Sequence, residues 1–450
     1  MKRDIVVSLK DWKESQKRKP LILRGARQVG KTWVLKEFGR LNYERVAYFS
    51  LEKINPDTPS EYAQFFEGTN DPQRIIDSLS LAGGTSIKPG STLVVLDEIQ
   101  DCPAALNSLK YFCENAPEYH IACAGSLLGV ALASSEQSFP VGKVTFRDMR
   151  PATFSEFLRA TGSANLDDYC HSIDEPMAIP DLFANQLTEK LQQYFAVGGM
   201  PEAVETWNVE HDYEAVDQVL SDLIDSYERD FAKHGGKTGF ANISRIWNSL
   251  PTQLARENKK FLFGLVREGA RAREYEDALV WLENAGLVSR VTRSTQPGMP
   301  LASHDEANAF KLYCLDVGVL RRLSRLRPSA FGMKDDMFGQ FKGAFAENYA
   351  LQALVGQLDS APRYWLNEKP RHEVDFLVQV GNDVVPIEVK SGDNVKSPSL
   401  NYYRRKYSDC TPLAMRMSLR NLACEGGVLS LPLYLADHAM RLAEGQLQGS

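Results

Sequence analysis

Two constellations in this chain carry residue types that do chemistry, and they lie far apart in the sequence. The first begins with Gly25-Ala26-Arg27-Gln28-Val29-Gly30-Lys31-Thr32. Two glycines bracket four residues, then a lysine and a hydroxyl follow, which is the spacing of a phosphate-cradling loop. The glycines let the backbone wrap closely around phosphate oxygens while its N–H groups turn inward. Lys31 is then placed to reach the β- and γ-phosphates of ATP, and Thr32 to ligate Mg²⁺. Asp97 and Glu98 close a second segment, the apolar run Leu93-Val94-Val95-Leu96. Such a run reads as a buried parallel strand, whose C-terminal end faces the ligand crevice of an open α/β sheet. At that end Asp97 would hold Mg²⁺ through water, and Glu98 would orient and deprotonate an attacking water. Ser126 ends a further short apolar run, His120-Ile121-Ala122-Cys123-Ala124-Gly125. It reads either as a γ-phosphate contact or as the N-cap of a helix from 127 onward.

The second constellation is a pair of alternating segments, Glu373-Val374-Asp375-Phe376-Leu377-Val378-Gln379-Val380 and Val384-Val385-Pro386-Ile387-Glu388-Val389-Lys390. Gly381-Asn382 between them suits a two-residue hairpin turn. That turn places Asp375 opposite Glu388 and Glu373 opposite Lys390. Side chains alternate faces along a strand, so two carboxylates and a lysine converge on one face. The arrangement suits a second Mg²⁺ or Mn²⁺ and phosphodiester cleavage. Asp375 and Glu388 would be metal ligands, Glu347 on the preceding helix a further acidic ligand, and Lys390 would orient or activate water. A surface hairpin with cross-strand charge pairs fits the same spacing. Residues 390–420 hold seven basic and two acidic side chains, interleaved with Tyr402, Tyr403 and Tyr407. Basic segments with aromatics suit DNA or RNA.

The elements that must position these residues can be read in order. Residues 1–19 read as a short amphipathic helix with Ile5, Val6, Leu9 and Trp12 at helical spacing, its basic side chains a solvated face or, as the alternative, a nucleic-acid contact. Residues 1–160 are expected to be a P-loop α/β core with a parallel sheet. Lys143, Arg147 and Arg150 are its candidate charge stabilisers. Residues 161–235 are expected to be a helical lid, irregular up to about 190, with a tight junction at Gly198-Gly199-Met200-Pro201. Residues 236–327 read as a winged-helix-like middle: three helical stretches, then strands near 286–291 and 309–314. Residues 328–450 carry the hairpin, after a linker near 328–336.

Composition bounds the rest. A chain of 450 residues with 43% hydrophobic and 24% charged side chains has room for several domains. Net charge is −6, so any nucleic-acid contact must come from local patches. Seven scattered cysteines and seven histidines without ligand spacing argue against a disulfide framework or a zinc site. No long apolar run or signal peptide is present, so the expectation is a cytoplasmic protein with no membrane segment.

These motifs together resemble the bacterial and archaeal AAA-family ATPases that end in a restriction-endonuclease-like domain of unknown function. The resembling stretches are residues 25–32, 93–98, 124–126, 141–144 and 198–202, with the hairpin from Glu373 and Asp375 to Glu388 and Lys390. Many relatives carry Gly-Arg where this chain has Gly142-Lys143. The resemblance implies an AAA-type core, a nuclease-like α/β C-terminal domain and assembly into a homo-oligomer. The expected function is a Mg²⁺-dependent ATPase coupled to a nucleic-acid-directed, nuclease-like domain. The alternative is a nucleotide-gated switch or scaffold whose C-terminal domain binds nucleic acid or protein without cutting. A DNA-binding regulator acting through the winged helix is a third reading.

Overall fold

Among the described residues five short strands form one parallel sheet: β1 (Leu21–Arg24), β2 (Arg45–Ser50), β3 (Thr92–Asp97), β4 (His120–Gly125) and β5 (Thr145–Asp148). The computed structural model describes residues 1–55, 58–126, 142–234, 236–256, 259–328, 339–392 and 396–448. The chain divides into two units, one of residues 3–150 with 284–287, the other of residues 1–2, 151–283 and 288–450.

In the first unit the strand order is β2-β3-β4-β1-β5. Every residue of β3 and β4 is buried, as a parallel strand covered on both faces requires. Helices α1 (Ile5–Glu14), α2 (Lys31–Asn42), α3 (Pro72–Ala82) and α4 (Pro103–Asn115) accompany the sheet. Ile75, Ile76 and Leu79 of α3 and Leu109 and Phe112 of α4 share a core with Phe49, Val94 and Leu96. Asp71 caps α3 by accepting from the Gln73 amide, and Pro72 occupies its first turn. The strand order matters for the site. Because β4 lies between β1 and β3, Ser126 comes between the loop after β1 and the carboxylates after β3.

The second unit opens with helices α5 (Phe154–Ala160), α6 (Ala164–His171), α7 (Asp181–Val197), α8 (Pro201–Glu210), α9 (Tyr213–His234), α10 (Gly236–Leu254), α11 (Phe263–Val266) and α12 (Ala272–Asn284). Thr153 and Glu156 form a reciprocal capping box at the start of α5. The stretch 160–190, expected to be irregular, contains α6 and the beginning of α7. Leu166 and Cys170 are the buried stripe of α6. One apolar pair four residues apart is too weak a period to stand out among polar neighbours.

The remaining strands are β6 (Val288–Ser294), β7 (Asp305–Cys314), β8 (Arg363–Glu368), β9 (Arg371–Val380), β10 (Asp383–Val389), β11 (Ala414–Ser418), β12 (Ala423–Glu425) and β13 (Val428–Pro432). They form a single eight-stranded sheet in the order β12-β13-β11-β10-β9-β8-β6-β7. Among the described residues the unit also contains α13 (Val317–Leu323), α14 (Gly339–Leu354), α15 (Pro398–Lys406) and α16 (Ala439–Gln448). The expected two-stranded wing, β6 with β7, does pair antiparallel. Its other edge, however, pairs parallel with β8. The hairpin is therefore one end of a larger sheet, continuous with the strands of the C-terminal segment.

The β9–β10 register follows the two-residue turn, from Asp383 opposite Val380 to Ile387 opposite Phe376. Gly381 takes the positive φ of 58° that such a turn demands. The junction Gly198-Gly199 is also forced. A Cβ on Gly199 would meet the Ala152 carbonyl oxygen at 2.1 Å, and one on Gly198 would meet Asp316 Oδ1 at 2.2 Å. Fully buried Asp316 accepts from the Gly199 and Val319 amides at 2.7 and 3.0 Å, locking the α7–α8 turn onto α13. The expected linker at 328–336 lies almost wholly outside the described residues. Among the described residues no helix is long and apolar enough to cross a membrane.

Candidate functional site

The loop after β1 is shaped by backbone constraints before any side chain acts. Gly30 has φ 93° and opens α2, while Gln28 also takes a positive φ of 66°. At Gly25 a Cβ would lie 2.1 Å from the Met149 carbonyl oxygen, so only glycine allows this approach. The Met149 amide donates to the Arg24 carbonyl at 2.7 Å, fixing the end of β5 beside the loop. Arg3 supports it from the other side. Its guanidinium is buried and donates to the Val29 carbonyl at 2.9 Å and the Arg150 carbonyl at 2.6 Å. The basic N-terminal segment, expected to be a solvated face, thus contributes an anchor for the phosphate loop. Arg3 precedes the helical period, so no pattern marked it.

Within the loop, Lys31 is 6% exposed, and its ammonium donates to the Gly25 and Ala26 carbonyls at 2.9 and 2.7 Å. Burial lowers its pKa to about 8, opposed by Glu98 and Asp97. A desolvated cation beside a helix N-terminus is a receptor for anionic oxygens. Thr32 donates to Asp97 Oδ2 at 2.8 Å, and the Tyr48 hydroxyl donates to the same oxygen at 2.9 Å. Thr32 and Asp97, which belong to separate motifs, are therefore brought together. Tyr48 belongs to no motif, and its place on β2 beside β3 follows only from the strand order.

Glu98 sits in the left-handed region, with φ 50° and ψ 47°. Its Oε2 accepts from Gln100 at 2.6 Å and from Ser126 at 3.1 Å. Ser126 thus meets the carboxylate expected to activate water. Its alternative role, capping a helix from 127 onward, falls outside the described residues. Of the candidate charge stabilisers, Lys143 pairs with Glu114 at 2.8 Å and Arg147 donates to the Phe146 carbonyl at 2.9 Å. The donor set fits Mg²⁺ with ATP: a hydroxyl and a carboxylate already within contact, a cradle that excludes Cβ atoms, and a buried cation held by two loop carbonyls.

The acidic hairpin is organised differently. Glu347 on α14 and Glu373 and Asp375 on β9 converge, and at their centre is Lys311 of β7. Its ammonium is 2.9 Å from Glu347, 2.6 Å from Glu373 and 3.7 Å from Asp375, and the side chain is 1% exposed. Burial pulls this lysine down, but Glu373, Tyr313 and Asp375 outweigh it and hold it above the ordinary lysine range. Glu347 also accepts from Lys259 and from the Tyr313 hydroxyl. Burial lowers Lys259 to about 8, with Asp375 and Glu373 raising it and Lys311 and Lys390 lowering it. Asp375 Oδ2 accepts the Val389 amide at 2.8 Å, tying the hairpin strands. Lys390 pairs with Glu388 at 2.7 Å, while Glu388 Oε2 is buried without a hydrogen-bond partner. Burial raises Glu388 despite Lys390 and a Ser397 contact.

The three expected ligands of a second metal, Glu347, Asp375 and Glu388, do not form a ligand set as they stand. Among the described residues, the only group of three or more His, Cys, Asp or Glu whose ligand atoms lie within 4.8 Å of one another is elsewhere. An ammonium occupies the centre of the carboxylates, where a cation of higher charge would have to sit. Lys311 was missed although it had a signal: it is a lysine inside the apolar strand Ala309-Phe310-Lys311-Leu312-Tyr313-Cys314. The tyrosines expected to face a polyanion are largely structural. Tyr403 is fully buried, and Tyr403 and Tyr407 pack edge-on against Trp365 with centroids 5.0 and 5.8 Å away.

Residues 17–158 match the family described as an AAA domain. Residues 188–330 and 342–434 match two families described as domains of unknown function, DUF8612 and DUF4143. No curated protein matches the chain. Among solved structures, the chain is similar to the Walker-type ATPase PABY2304 of Pyrococcus abyssi, at 16% identity. That match covers 71% of this chain and 95% of that one, with a TM-score of 0.43. It is also similar to the ORC1 protein of Aeropyrum pernix, solved in complex with DNA, at 15% identity. There the coverage is 71% and 90% and the TM-score 0.27. The RuvB Holliday junction branch migration motor of Thermotoga maritima matches at 13% identity, covering 65% and 90% with a TM-score of 0.30. The parallel sheet, its phosphate loop and the matched segment agree: residues 17–158 have the fold of an AAA-type ATPase.

Proposed function

We propose that this chain is a Mg²⁺-dependent ATPase acting as a nucleotide-gated switch, and that its second unit binds nucleic acid or protein without cutting. The observation that carries the ATPase reading is the Thr32–Asp97 contact at 2.8 Å, which joins the phosphate loop to the strand end bearing Glu98. Thr32 and Asp97 would hold Mg²⁺, which neutralises charge on the β- and γ-phosphates when bound. Lys31 exchanges its carbonyl partners for phosphate oxygens. Glu98 accepts the proton of the attacking water, and Ser126 and Gln100 fix its carboxylate for that task.

The test is a pair of variants. Lys31→Ala removes a ground-state contact, so ATP binding is lost. Glu98→Gln keeps the contacts and removes the base, so ATP binds and is not hydrolysed. Equal hydrolysis by Glu98→Gln and wild type would remove Glu98 from this mechanism.

The non-cutting reading of the second unit rests on Lys311 at the centre of the carboxylates. One observation favours the cutting alternative: the unpartnered Glu388 Oε2 beside Lys390 offers an open ligand atom. Labelled DNA and RNA with the full chain, with and without ATP and Mg²⁺ or Mn²⁺, separates the two. No cleavage is expected. Cleavage that Asp375→Asn abolishes would restore the nuclease reading.

A further inference from the structure

The cluster that does gather ligand atoms lies outside both sites already described. It consists of Asp167 and His171 on α6 and His438, the last residue of the 3₁₀ segment Leu433–His438. One ligand atom from each lies within 4.8 Å of the others. Asp167 and His171 are four residues apart on one helix and so share a face. His438 comes from the far end of the chain and completes the set. Its ring meets that of His171 edge-on, with centroids 4.6 Å apart.

We propose that Asp167, His171 and His438 form a binding site for a divalent transition metal of the zinc class, with the remaining coordination position open to solvent. Two imidazoles and one carboxylate are the donors such ions take, and three protein ligands leave one position for water.

Three independent features of the cluster point to a ligand. Asp167 is 1% exposed, yet its Oδ1 has no hydrogen-bond partner, while Oδ2 accepts from Arg159 at 2.8 Å. A buried carboxylate oxygen left empty is costly in a folded protein. That same Oδ1 lies 3.4 Å from His171 Nδ1. His171 Nδ1 is also 2.9 Å from the Asp167 carbonyl, to which it donates. This contact fixes the orientation of the imidazole beside the carboxylate. His438 is buried and its ring is held edge-on against that of His171, so the second imidazole is fixed in the cluster rather than free to swing into solvent.

The surrounding charges set the strength. Arg159 shares Asp167, and Arg441 pairs with Asp174 at 2.8 Å while also donating to the Cys170 carbonyl. Two guanidiniums near the cluster disfavour hard cations such as Mg²⁺, which bind through carboxylate charge. They disfavour an imidazole-seeking ion less. Metal here would fasten the C-terminal segment to α6 inside the second unit.

The experiment uses the full chain without nucleotide, in excess Mg²⁺ to occupy the phosphate-loop site. Co²⁺ is the probe, because its visible absorption reports four-coordinate N/O ligation. One saturable equivalent per chain is expected, displaced by Zn²⁺, with a rise in thermal midpoint. His171→Ala, at a half-exposed position that tolerates truncation, is expected to weaken Co²⁺ binding by about 100-fold, the upper range for disturbing a metal site. His438→Gln, which keeps a polar group of similar bulk, should also lose the absorption band. Far-UV circular dichroism of both variants without metal, unchanged from wild type, verifies that they are folded. Absence of a Co²⁺ band in wild type, or a band unchanged in both variants, would overturn the site.

Discussion

The phosphate loop and the acidic hairpin are both charged sites, but they are made of different material. The loop is built from backbone: two glycines, a left-handed Gln28 and a helix N-terminus, with one lysine and one threonine added. Its essential atoms lie within eight consecutive residues. The hairpin site is built from side chains drawn from β7, α14, β9, β10 and the segment holding Lys259. Its character depends on which charge reaches the middle, and that charge, Lys311, belongs to none of the motif residues. Contiguous backbone sites announce their chemistry in a short pattern. Sites assembled by tertiary structure can keep the pattern while a distant residue changes what the site does.

The largest expected effect tests the backbone half of this contrast. Gly25→Ala places a methyl 2.1 Å from the Met149 carbonyl oxygen, at a φ of 147° that side chains rarely adopt. Neither the end of β5 nor the loop can retreat without losing the Met149–Arg24 hydrogen bond. ATP affinity is expected to fall at least about 100-fold, or about 3 kcal/mol. A fluorescent ATP analogue measures it. Binding within a few-fold of wild type would mean that side chains, not backbone, define this site.

The counterpart on the side-chain half is Lys311→Met, which removes the ammonium and keeps the bulk. Glu347, Glu373 and Asp375 then face one another with only Lys259 for compensation. Breaking a buried ion pair costs about 3–5 kcal/mol. Denaturant melts of the full chain at pH 7 check the size of the loss. If Mn²⁺ restores the variant's stability, the carboxylates are a latent metal set and the difference between the two sites narrows.

Arg3→Met comes third. It removes two hydrogen bonds from a charged donor to the Val29 and Arg150 carbonyls, each a net contribution of about 1.5–3 kcal/mol. The substitution should lower stability by about 3 kcal/mol, the low end of their sum, and raise the KM for ATP, with kcat nearly unchanged, since Arg3 supports the loop. Unchanged stability and KM would show that the loop keeps its shape without this anchor.

What the sequence revealed follows the same division. The parallel sheet, the loop, the Asp97–Glu98 strand end and the β9–β10 register were all legible, because each depends on local period or a short turn. The burial of Arg3, the Tyr48 contact and the Lys311 centre depend on which strands and helices become neighbours. The continuity of β6 with β8 was equally hidden. A parallel pairing between segments about seventy residues apart leaves no local trace. It has a practical consequence for testing the hairpin. A fragment beginning near residue 330 would cut the sheet between β6 and β8, so metal and stability measurements belong on the whole chain.

The smallest effect is expected at Glu388. Its carboxylate is buried with Oε2 unpartnered, and burial raises its pKa even with Lys390 at 2.7 Å. The group therefore stabilises the fold below its unfolded pKa, and this contribution is lost as pH rises through the folded value. Gln at this position carries no charge to bury, and the released Lys390 is one-third exposed and stays hydrated. Glu388→Gln should match wild type near pH 4 and exceed it at pH 7–8 by about 1 kcal/mol or less, the scale of a partly exposed pair. If Glu388 is instead a metal ligand, Mn²⁺ will raise the wild-type midpoint and Glu388→Gln will abolish that rise. Thermal melts of both proteins at pH 4 and pH 8, with and without Mn²⁺, distinguish a buried charge held by lysine from a ligand awaiting its ion.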